Sequence, residues 1–272
     1  MTRTLATQNT TTVTMNDSHF LVEAGKVPQH DRFWSKVNRG VWEPETFRVI
    51  DAQTDLDTLV VDCGGWIGPT ILYTAQRAGL CVGFEPDPVA YETLTANLAL
   101  NADAPWAKNV VLYNQAIHST GRQITIAAGN NVGGDSMTSV LNAATDASWK
   151  VKTRRLQDVI KKHRKKFAKV FVKIDVEGGE YDILPSIADT MADPDVSFLI
   201  SFHHRRLKLA MAQEHDNQPS GEEAFLTTLK SVAEALPWGR DIKTLEGNPL
   251  IRERVFAAAG KGRAFGSDIV IR

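Results

Sequence analysis

The chain has 272 residues, and its 31 Lys and Arg residues nearly balance 32 Asp and Glu residues, which leaves a formal net charge of −1. Hydrophobic residues make up 43% and charged residues 23%, a composition typical of a soluble globular protein that excludes disorder of the whole chain. The neutral balance argues against a protein that coats nucleic acid, because such a surface needs net positive charge.

The beginning of the chain differs in composition from the rest. Residues 1–17 contain few apolar side chains, and we expect a disordered N-terminal tail there. Residues 18–57 carry scattered apolar side chains and predict a helical extension that packs on the main body. No repeat and no Pro- or Ser-rich linker follows, so we assign residues 58–272 to one domain.

From residue 58 onward, apolar runs alternate with helical patterns. The predicted strands are residues 58–62, 80–85, 110–113, 170–175 and 197–202, a weaker one at 123–127, and a closing pair at 241–245 and 268–271. The predicted helices are residues 69–78, 88–100, 156–167, 179–191 and 221–236. Pro185 should disturb the fourth of these helices. The alternation predicts an α/β fold with a mostly parallel sheet and helices on both faces.

The two cysteines, Cys63 and Cys81, lie within predicted strands, and we expect both to be buried free thiols. No apolar stretch reaches the roughly 18 residues that a membrane span needs. The Thr-rich beginning of the chain lacks the apolar core of a secretory signal. The sequence therefore predicts a cytoplasmic protein without a membrane span.

Polar or glycine residues follow each predicted core strand, at 62–68, 85, 113–116, 175–178 and 203–204. Ligands of mostly parallel sheets bind outside the carboxyl ends of the strands. We therefore expect the functional site at this edge of the sheet.

The first two strand ends indicate an adenosyl ligand. Gly64 and Gly68 bracket a tight turn where the main chain can approach a ligand, although such a turn alone is weak evidence and more often binds nothing. Glu85 follows Gly68 by 17 residues, close to the spacing at which an acidic side chain binds a ribose diol. The alternative for Glu85 is a cap on the helix that begins near Pro88.

The turn favours S-adenosylmethionine over a dinucleotide. The pattern Gly-x-Gly-x-x-Gly is not met, because Cys63 stands at its first glycine. Asp62 would repel a pyrophosphate but suits a positively charged amino or sulfonium group. The chain has no Tyr-x-x-x-Lys for carbonyl reduction, which disfavours an NAD-dependent oxidoreductase, and no Gly-Lys-Ser/Thr, which excludes a P-loop.

Several segments resemble FkbM-type methyltransferases. They are residues 60–68, residues 84–88, Asn97 with Asn101, and residues 172–180, where Lys173-Ile174-Asp175-Val176-Glu177-Gly178-Gly179-Glu180 is similar to the family's Lys-Ile-Asp-x-Glu-Gly-x-Glu signature. The resemblance runs from about residue 42 to residue 204. It implies a class I, Rossmann-like fold with a seven-stranded sheet and an antiparallel closing strand. Trp66 departs from the family, which commonly has a small or polar residue at this position.

The resemblance also implies roles for individual residues. The turn around the methionine part of S-adenosylmethionine would comprise Asp62, Gly64, Gly65 and Gly68. Glu85 with Pro86 would hold the ribose, and Gln115 with Ala116 would face the adenine. Trp42 and Glu43 would close over the cofactor.

The fourth and fifth strand ends carry the candidate catalytic residues. Asp175 and Glu177 are close enough to share a base role or to bind a divalent cation through oxygen. His203 and His204 end the fifth strand, and histidine titrates near neutrality. Our hypothesis is that His203 or Asp175 is the general base and that Glu177 orients the acceptor. Asp175 could instead only cap the following helix.

Two further features concern charge. Lys173 lies within a core strand, so we expect it to pair with Glu180 or Asp175, because a buried lysine needs a partner. Residues 150–173 contain eleven Lys or Arg residues against one acidic residue, Asp158. This segment suits either a solvated helix face or a docking face for an anionic substrate.

The sequence predicts an enzyme that transfers a methyl group from S-adenosylmethionine to an oxygen of a sugar or small metabolite. The expected partner is a small-molecule or glycan acceptor, and a nucleic-acid partner is disfavoured. The sequence leaves open whether the protein forms a homo-oligomer. The alternatives are an RNA methyltransferase and a non-catalytic protein that binds S-adenosylmethionine or a protein partner.

Overall fold

The computed structural model describes residues 9–129, 133–141 and 146–272. The strands are β1 (Thr10–Met15), β2 (Ser18–Glu23), β3 (Thr58–Cys63), β4 (Leu80–Phe84), β5 (Val110–Tyr113), β6 (Ala116–Ile117), β7 (Ile124–Ala127), β8 (Ser148–Val151), β9 (Thr153–Arg154), β10 (Lys169–Ile174), β11 (Val196–Ser201), β12 (Ile242–Thr244) and β13 (Asp268–Ile271). The helices are α1 (Pro28–Asn38), α2 (Pro44–Gln53), α3 (Pro69–Thr74), α4 (Pro88–Ala99), α5 (Leu156–His163), α6 (Glu180–Ser186), α7 (Ala188–Ala192), α8 (His204–Glu214), α9 (Pro219–Ala235) and α10 (Arg252–Ala259).

The central sheet has seven strands in the order β12-β13-β11-β10-β3-β4-β5. Neighbouring strands from β11 to β5 run parallel, and β13 runs antiparallel to both β11 and β12. The predicted α/β fold, with its mostly parallel sheet and antiparallel closing strand, is confirmed. The parallel order brings the carboxyl ends of β3, β4, β10 and β11 to one edge.

Two apolar layers cover the sheet because its central strands are apolar on both faces. Leu59 and Val61 of β3 pack in the layer with α5, α6 and α9, whereas Val60 packs in the layer with α1, α2 and α3. All six residues of β3 are buried. This double burial explains why β3 is a continuous apolar run rather than an alternating one. Both cysteines are buried and free, as predicted.

The predicted disordered tail over residues 1–17 is wrong for residues 10–17, and residues 1–8 lie outside the described ranges. Strands β1 and β2 form an antiparallel hairpin. Alternate side chains of β1, Val13 and Met15, are buried against α1 and α2, which stabilises a segment that composition alone marks as polar. The predicted helical extension over residues 18–57 likewise begins with a strand, β2, before α1 and α2 follow.

Asn97 and Asn101 of α4 attach this hairpin to the domain. The side-chain oxygen of Asn97 accepts a hydrogen bond from the Glu23 main-chain N–H at 2.8 Å, and that of Asn101 accepts one from Leu21 at 2.8 Å. The Asn101 amide also donates to the Leu21 carbonyl. Both asparagines therefore replace the strand partner that β2 lacks on this side.

The predicted helix over residues 179–191 is two helices, α6 and α7, which meet at Ile187 just after Pro185. Proline removes a main-chain donor, so the interruption has the cause that the sequence suggests. The helices α8 and α10 were not predicted. No helix in the described ranges combines the length and apolar character that a membrane crossing requires. The assignment of residues 58–272 to one domain stays a prediction.

Candidate active site

A cavity of about 650 Å³ lies at the carboxyl edge of the sheet. Its floor consists of residues that follow β3, β4, β10 and β11, and its sides include one face of α1 and residues 135–140. This is the position that strand order predicts for a ligand in a mostly parallel sheet.

Most of the predicted site residues line this cavity. They are Glu43, Gly64, Gly65, Glu85, Pro86, Ala116, Asp175, Glu177 and His203. Three others do not line it. Gln115 instead accepts a hydrogen bond from Arg154 Nε at 2.6 Å, Gly68 is the N-cap residue before α3, and Asp62 is fully buried near the end of β3.

The turn after β3 needs glycine at two positions. Gly64 has φ +95°, and a Cβ there would overlap the main-chain oxygen of Asp175. Gly68 has φ +104°, and its Cβ would lie 2.7 Å from Leu94 Cδ1. Both conformations lie in the left-handed region that favours glycine. The turn therefore places main chain against the end of β10, with no side chain between them.

We predict that Gly64→Ala destabilises the protein by at least about 3 kcal/mol, because left-handed strain adds to a main-chain overlap. Gly40→Ala is the matched control: Gly40 also has a positive φ, +66°, but a Cβ added there would meet no other residue within 4 Å. That variant should lose only about 1 kcal/mol. Urea denaturation measures both, and equal losses would contradict the close approach of Gly64 to Asp175.

Glu85 is buried and lines the cavity. Its Oε2 accepts a hydrogen bond from Trp66 N–H at 2.7 Å, and its Oε1 accepts one from Asp87 N–H at 2.8 Å. Burial raises its pKa to about 8. The N-terminal cap of α4 is Asp87, whose Oδ1 accepts a hydrogen bond from Val89 N–H. The alternative role of Glu85 as this cap is therefore wrong. Each carboxylate oxygen has a second lone pair, so Glu85 can still accept bonds from a pair of ligand hydroxyls.

Trp66 connects the turn to residues 134–139. Its indole Nε1 donates to the Gly134 carbonyl at 3.0 Å, although its own main chain has φ +44°. Asp87 Oδ2 accepts from Gly134 N–H and from Thr138 Oγ1, both at 2.8 Å. The residue that departs from the family pattern therefore holds a segment that lines the cavity beside Glu85.

Asp62 and Lys173 are neighbours in the register of β3 and β10, and both are buried. Within the described part of the chain, neither oxygen of Asp62 has a hydrogen-bond partner. Burial raises the pKa of Asp62 to about 7. Lys173 Nζ instead binds Asp175 Oδ2 at 2.8 Å. Of the two partners that the sequence suggests for Lys173, the structure therefore selects Asp175.

Asp175, Glu177 and His203 lie together in the cavity. His203 Nε2 is 3.6 Å from Asp175 Oδ1 and 3.4 Å from Glu177 Oε2. Arg206 Nε binds the same Glu177 oxygen at 2.7 Å. Asp175 does not cap α6, because the Gly178 N–H bonds Glu180 Oε2 instead. The two strand ends thus bring the predicted catalytic residues into contact.

Both ring nitrogens of His203 face carboxylates. Nδ1 is 3.3 Å from Glu180 Oε1, while Nε2 faces Asp175 and Glu177. A neutral imidazole has one N–H, whereas this arrangement has acceptors on both sides and therefore favours the imidazolium. Burial opposes the charge, but hydrogen bonds to Glu177 and Glu180 raise the pKa of His203 to about 10. A histidine that already holds its proton is a poor general base.

This protonation makes stability depend on pH. Between pH 6.5 and about 10 the folded protein keeps a proton on His203 that an unfolded chain releases, so the free energy of unfolding should fall as pH rises. The contribution is at most about 1.4 kcal/mol per pH unit. Urea denaturation at pH 7, 8 and 9 should give a shallower decline for His203→Asn than for wild type and the exposed control His19→Asn. Parallel curves for all three proteins would contradict the charged state.

The three catalytic candidates could also hold a divalent cation. Their ligand atoms all lie within 4.8 Å of one another. Carboxylate oxygen and imidazole nitrogen are both suitable donors. Lys173 and Arg206, however, already neutralise Asp175 and Glu177. The predicted cation stays a prediction.

The contribution of α1 to the cavity was not predicted from the sequence. Gln29, Arg32, Phe33 and Lys36 line the cavity from one face of this helix. Polar residues at such positions also occur on any solvated helix face, so periodicity alone offers no signal. Phe33 packs against Trp66 with ring centroids 4.6 Å apart and against Trp42 at 4.9 Å.

A comparison with known protein families gives a match over much of the chain. A sequence profile of the Methyltransferase FkbM domain matches residues 62–219. No curated protein matches the chain.

Three solved structures illustrate the structural similarity. A methyltransferase FkbM from Methylobacillus flagellatus KT has 16% identity and a TM-score of 0.43, over 89% of this chain and 54% of that one. A geranyl diphosphate C-methyltransferase from Streptomyces coelicolor A3(2) has 9% identity and a TM-score of 0.40, over 90% of this chain and 83% of that one. A precorrin-6y C5,15-methyltransferase from Geobacter metallireducens GS-15 has 10% identity and a TM-score of 0.38, over 85% of this chain and 82% of that one. The chain spans about half the length of the first of these.

The profile match covers more than half of the chain and includes Asp62, the turn glycines, Glu85 and all three catalytic candidates. The mostly parallel sheet, with its antiparallel closing strand, has the architecture that the resemblance to this family implies. The chain therefore belongs to the FkbM methyltransferase family.

Proposed function

We propose that the protein transfers a methyl group from S-adenosylmethionine to an oxygen of a small acceptor such as a sugar. The observation that carries this proposal is one cavity that contains both Glu85, a buried carboxylate suited to a ribose diol, and the Asp175–Glu177–His203 cluster. A cofactor subsite and a proton-transfer group in the same cavity are what methyl transfer to a hydroxyl requires.

The residues of the turn fit S-adenosylmethionine. Glu85 would hold the ribose hydroxyls, and Gly64 with Gly65 would leave room for the methionine part. Asp62 lies buried beneath the turn without a hydrogen-bond partner among the described residues, and its ionised form would attract the positively charged amino and sulfonium groups. Ala116 and Pro86 line the cavity and would contact the adenine, whereas Gln115 is directed to Arg154 and is left out of the proposed site. When bound, the cofactor supplies a methyl group on a positively charged sulfur.

Glu177 is the best placed proton acceptor. Both oxygens of Asp175 face cations, Lys173 and His203, and Lys173 keeps the pKa of Asp175 low despite burial. Glu177 Oε2 faces Arg206 and His203, but its Oε1 has no hydrogen-bond or ion-pair partner in the part of the chain that the structure describes. We therefore assign the general base to Glu177 and a positioning role to Asp175 and His203.

Glu177 also has an unusual main chain. Its φ of +54° is left-handed for a non-glycine residue, and two other such residues, Glu43 and Trp66, line the same cavity. The Ser139 hydroxyl bonds the Glu177 carbonyl at 2.5 Å and helps to hold this conformation. Left-handed conformations of this kind cost energy and are concentrated at functional sites. The strain supports a functional position for the Glu177 carboxylate.

The basic segment over residues 150–173 does not favour a nucleic-acid substrate. Apart from Lys173, none of its basic residues lines the cavity. Several of them bind acidic side chains, as Arg155 does with Asp158, Arg164 with Asp193 and Lys169 with Asp55. The segment therefore matches the solvated helix face that the sequence allows.

The test is transfer of an isotope-labelled methyl group. Wild-type protein, labelled S-adenosylmethionine and a panel of monosaccharides, methyl glycosides and small hydroxylated metabolites are incubated together, and the products are analysed by mass spectrometry and NMR. The proposal predicts a labelled methyl ether. A labelled methyl group bonded to carbon or nitrogen would overturn the assignment to oxygen.

A further inference from the structure

One face of α1 brings positive charge to the cavity. Gln29, Arg32, Phe33 and Lys36 follow the spacing that places side chains on one side of a helix, and all four line the cavity. Arg32 and Lys36 are exposed to solvent at its rim. We call these two residues the α1 cations.

The other basic side chains that line the cavity already have partners. Lys173 binds Asp175, and His203 faces three carboxylates. His118 lies 3.3 Å from Asp182. By contrast, Arg32 and Lys36 form no side-chain hydrogen bond or ion pair with any residue that the structure describes. The α1 cations are therefore the positive charges of the cavity that remain available to an anionic ligand group.

The acidic residues of the cavity form a separate group. Burial of its carboxyl raises the pKa of Glu43, the charge of Lys173 lowers it, and the charges of Asp175 and Asp268 raise it further, although the residue as a whole stays exposed. Asp62 is buried next to Lys173 and Asp175 in the same region. Negative potential in this region repels a carboxylate and attracts an ammonium or sulfonium group.

The helix that carries the α1 cations packs near the proposed ribose-binding residue. Phe33, next to Arg32, packs on the indole of Trp66 with centroids 4.6 Å apart, and the Trp66 main-chain N–H binds Glu85 at 2.7 Å. Trp42 packs on the other side of Phe33. A ligand that reaches Glu85 therefore lies beside the α1 face rather than in a remote branch of the cavity.

We propose that Arg32 and Lys36 bind the α-carboxylate of the cofactor, an inference that rests on the proposed function. The cofactor always brings one carboxylate, one ammonium and, before transfer, one sulfonium. The acidic group of the cavity suits the two cations, and the α1 cations suit the carboxylate. The N-terminal extension is then part of the cofactor site and selects ligands that keep an intact amino-acid end.

The test compares two ligands that differ only in this carboxylate. Calorimetric titration measures S-adenosylhomocysteine and its decarboxylated analogue, S-adenosyl-3-thiopropylamine, on wild type, on Arg32→Gln/Lys36→Gln and on Arg39→Gln. Arg39 is exposed at the end of the same helix and does not line the cavity. Wild type should bind S-adenosylhomocysteine about tenfold more tightly than the analogue, as two partly solvated ion pairs allow.

The double variant should lose this preference and bind the analogue with unchanged affinity, while Arg39→Gln behaves as wild type. An unchanged preference in the double variant would overturn the inference and leave the α1 cations to another anion, such as one on the acceptor. Equal weakening of both ligands would also overturn it, because it indicates a general effect on α1. If wild type binds neither ligand, the proposed function itself fails, and that result is distinct from the other two.

Discussion

Glu85→Gln should remove the stabilisation that S-adenosylhomocysteine gives to the wild-type protein. Glu85 offers two oxygens to a ribose diol while each already accepts a main-chain N–H, from Trp66 or Asp87. A glutamine keeps one oxygen, and its NH₂ group must face either a main-chain donor or the ribose. Loss of hydrogen bonds to a charged group, about 1.5–3 kcal/mol each, should weaken binding about 100-fold.

Thermal unfolding measures this effect. At 100 times its dissociation constant the ligand adds about 2.7 kcal/mol to wild type, which raises the midpoint by about 5 °C. The same concentration should add only about 0.4 kcal/mol to the variant. The shift of each protein is measured against its own unliganded midpoint, so an effect of the substitution on folding itself cancels. Exposed Glu92→Gln on α4 is the control, and an undiminished shift in Glu85→Gln would remove the ribose assignment.

Glu177→Gln should lower kcat by about 10²- to 10⁴-fold, which is what a positioned general base contributes. The amide keeps the size of the carboxylate and can still face Arg206 and His203, but it cannot accept the hydroxyl proton. Affinity for S-adenosylhomocysteine should change little, because the effect is confined to proton transfer. Steady-state rates with the labelled-methyl assay and calorimetry on the same preparation separate the two quantities.

Exposed Glu214→Gln on α8 is the control for this variant and should keep the wild-type rate. Asp175→Asn gives a second comparison, because loss of its charge leaves Lys173 without its partner and should weaken folding as well as turnover. A Glu177→Gln enzyme with wild-type kcat would return the base role to Asp175 or His203.

Local sequence patterns were sufficient to predict the sheet and the edge at which the cavity lies. The apolar runs of β3 and β10 identify strands that are buried on both faces, and parallel order places their ends together. The spacing from Gly68 to Glu85 spans one helix and the strand that follows it, α3 and β4, so a local count finds a residue that the fold brings to the cavity. A site residue whose position depends on one such unit can therefore be predicted from the sequence.

Features that depend on several distant segments were not predictable. The charge of His203 follows from carboxylates on three residues of another chain segment, Asp175, Glu177 and Glu180, so its pKa cannot be read from residue type. The β1–β2 hairpin is ordered because Asn97 and Asn101, more than 70 positions away, bind its edge. The resemblance implied a role for Gln115 at the adenine, but a contact with Arg154 directs that side chain elsewhere.

A crystal structure of the protein with S-adenosylhomocysteine tests the account most directly. It should show the ribose hydroxyls on the Glu85 carboxylate and the amino-acid carboxylate beside Arg32 and Lys36. The sulfur atom should face the part of the cavity that holds Glu177 and His203. A ligand bound outside this cavity, or bound with its ribose away from Glu85, would contradict the assignment of the site and the mechanism built on it.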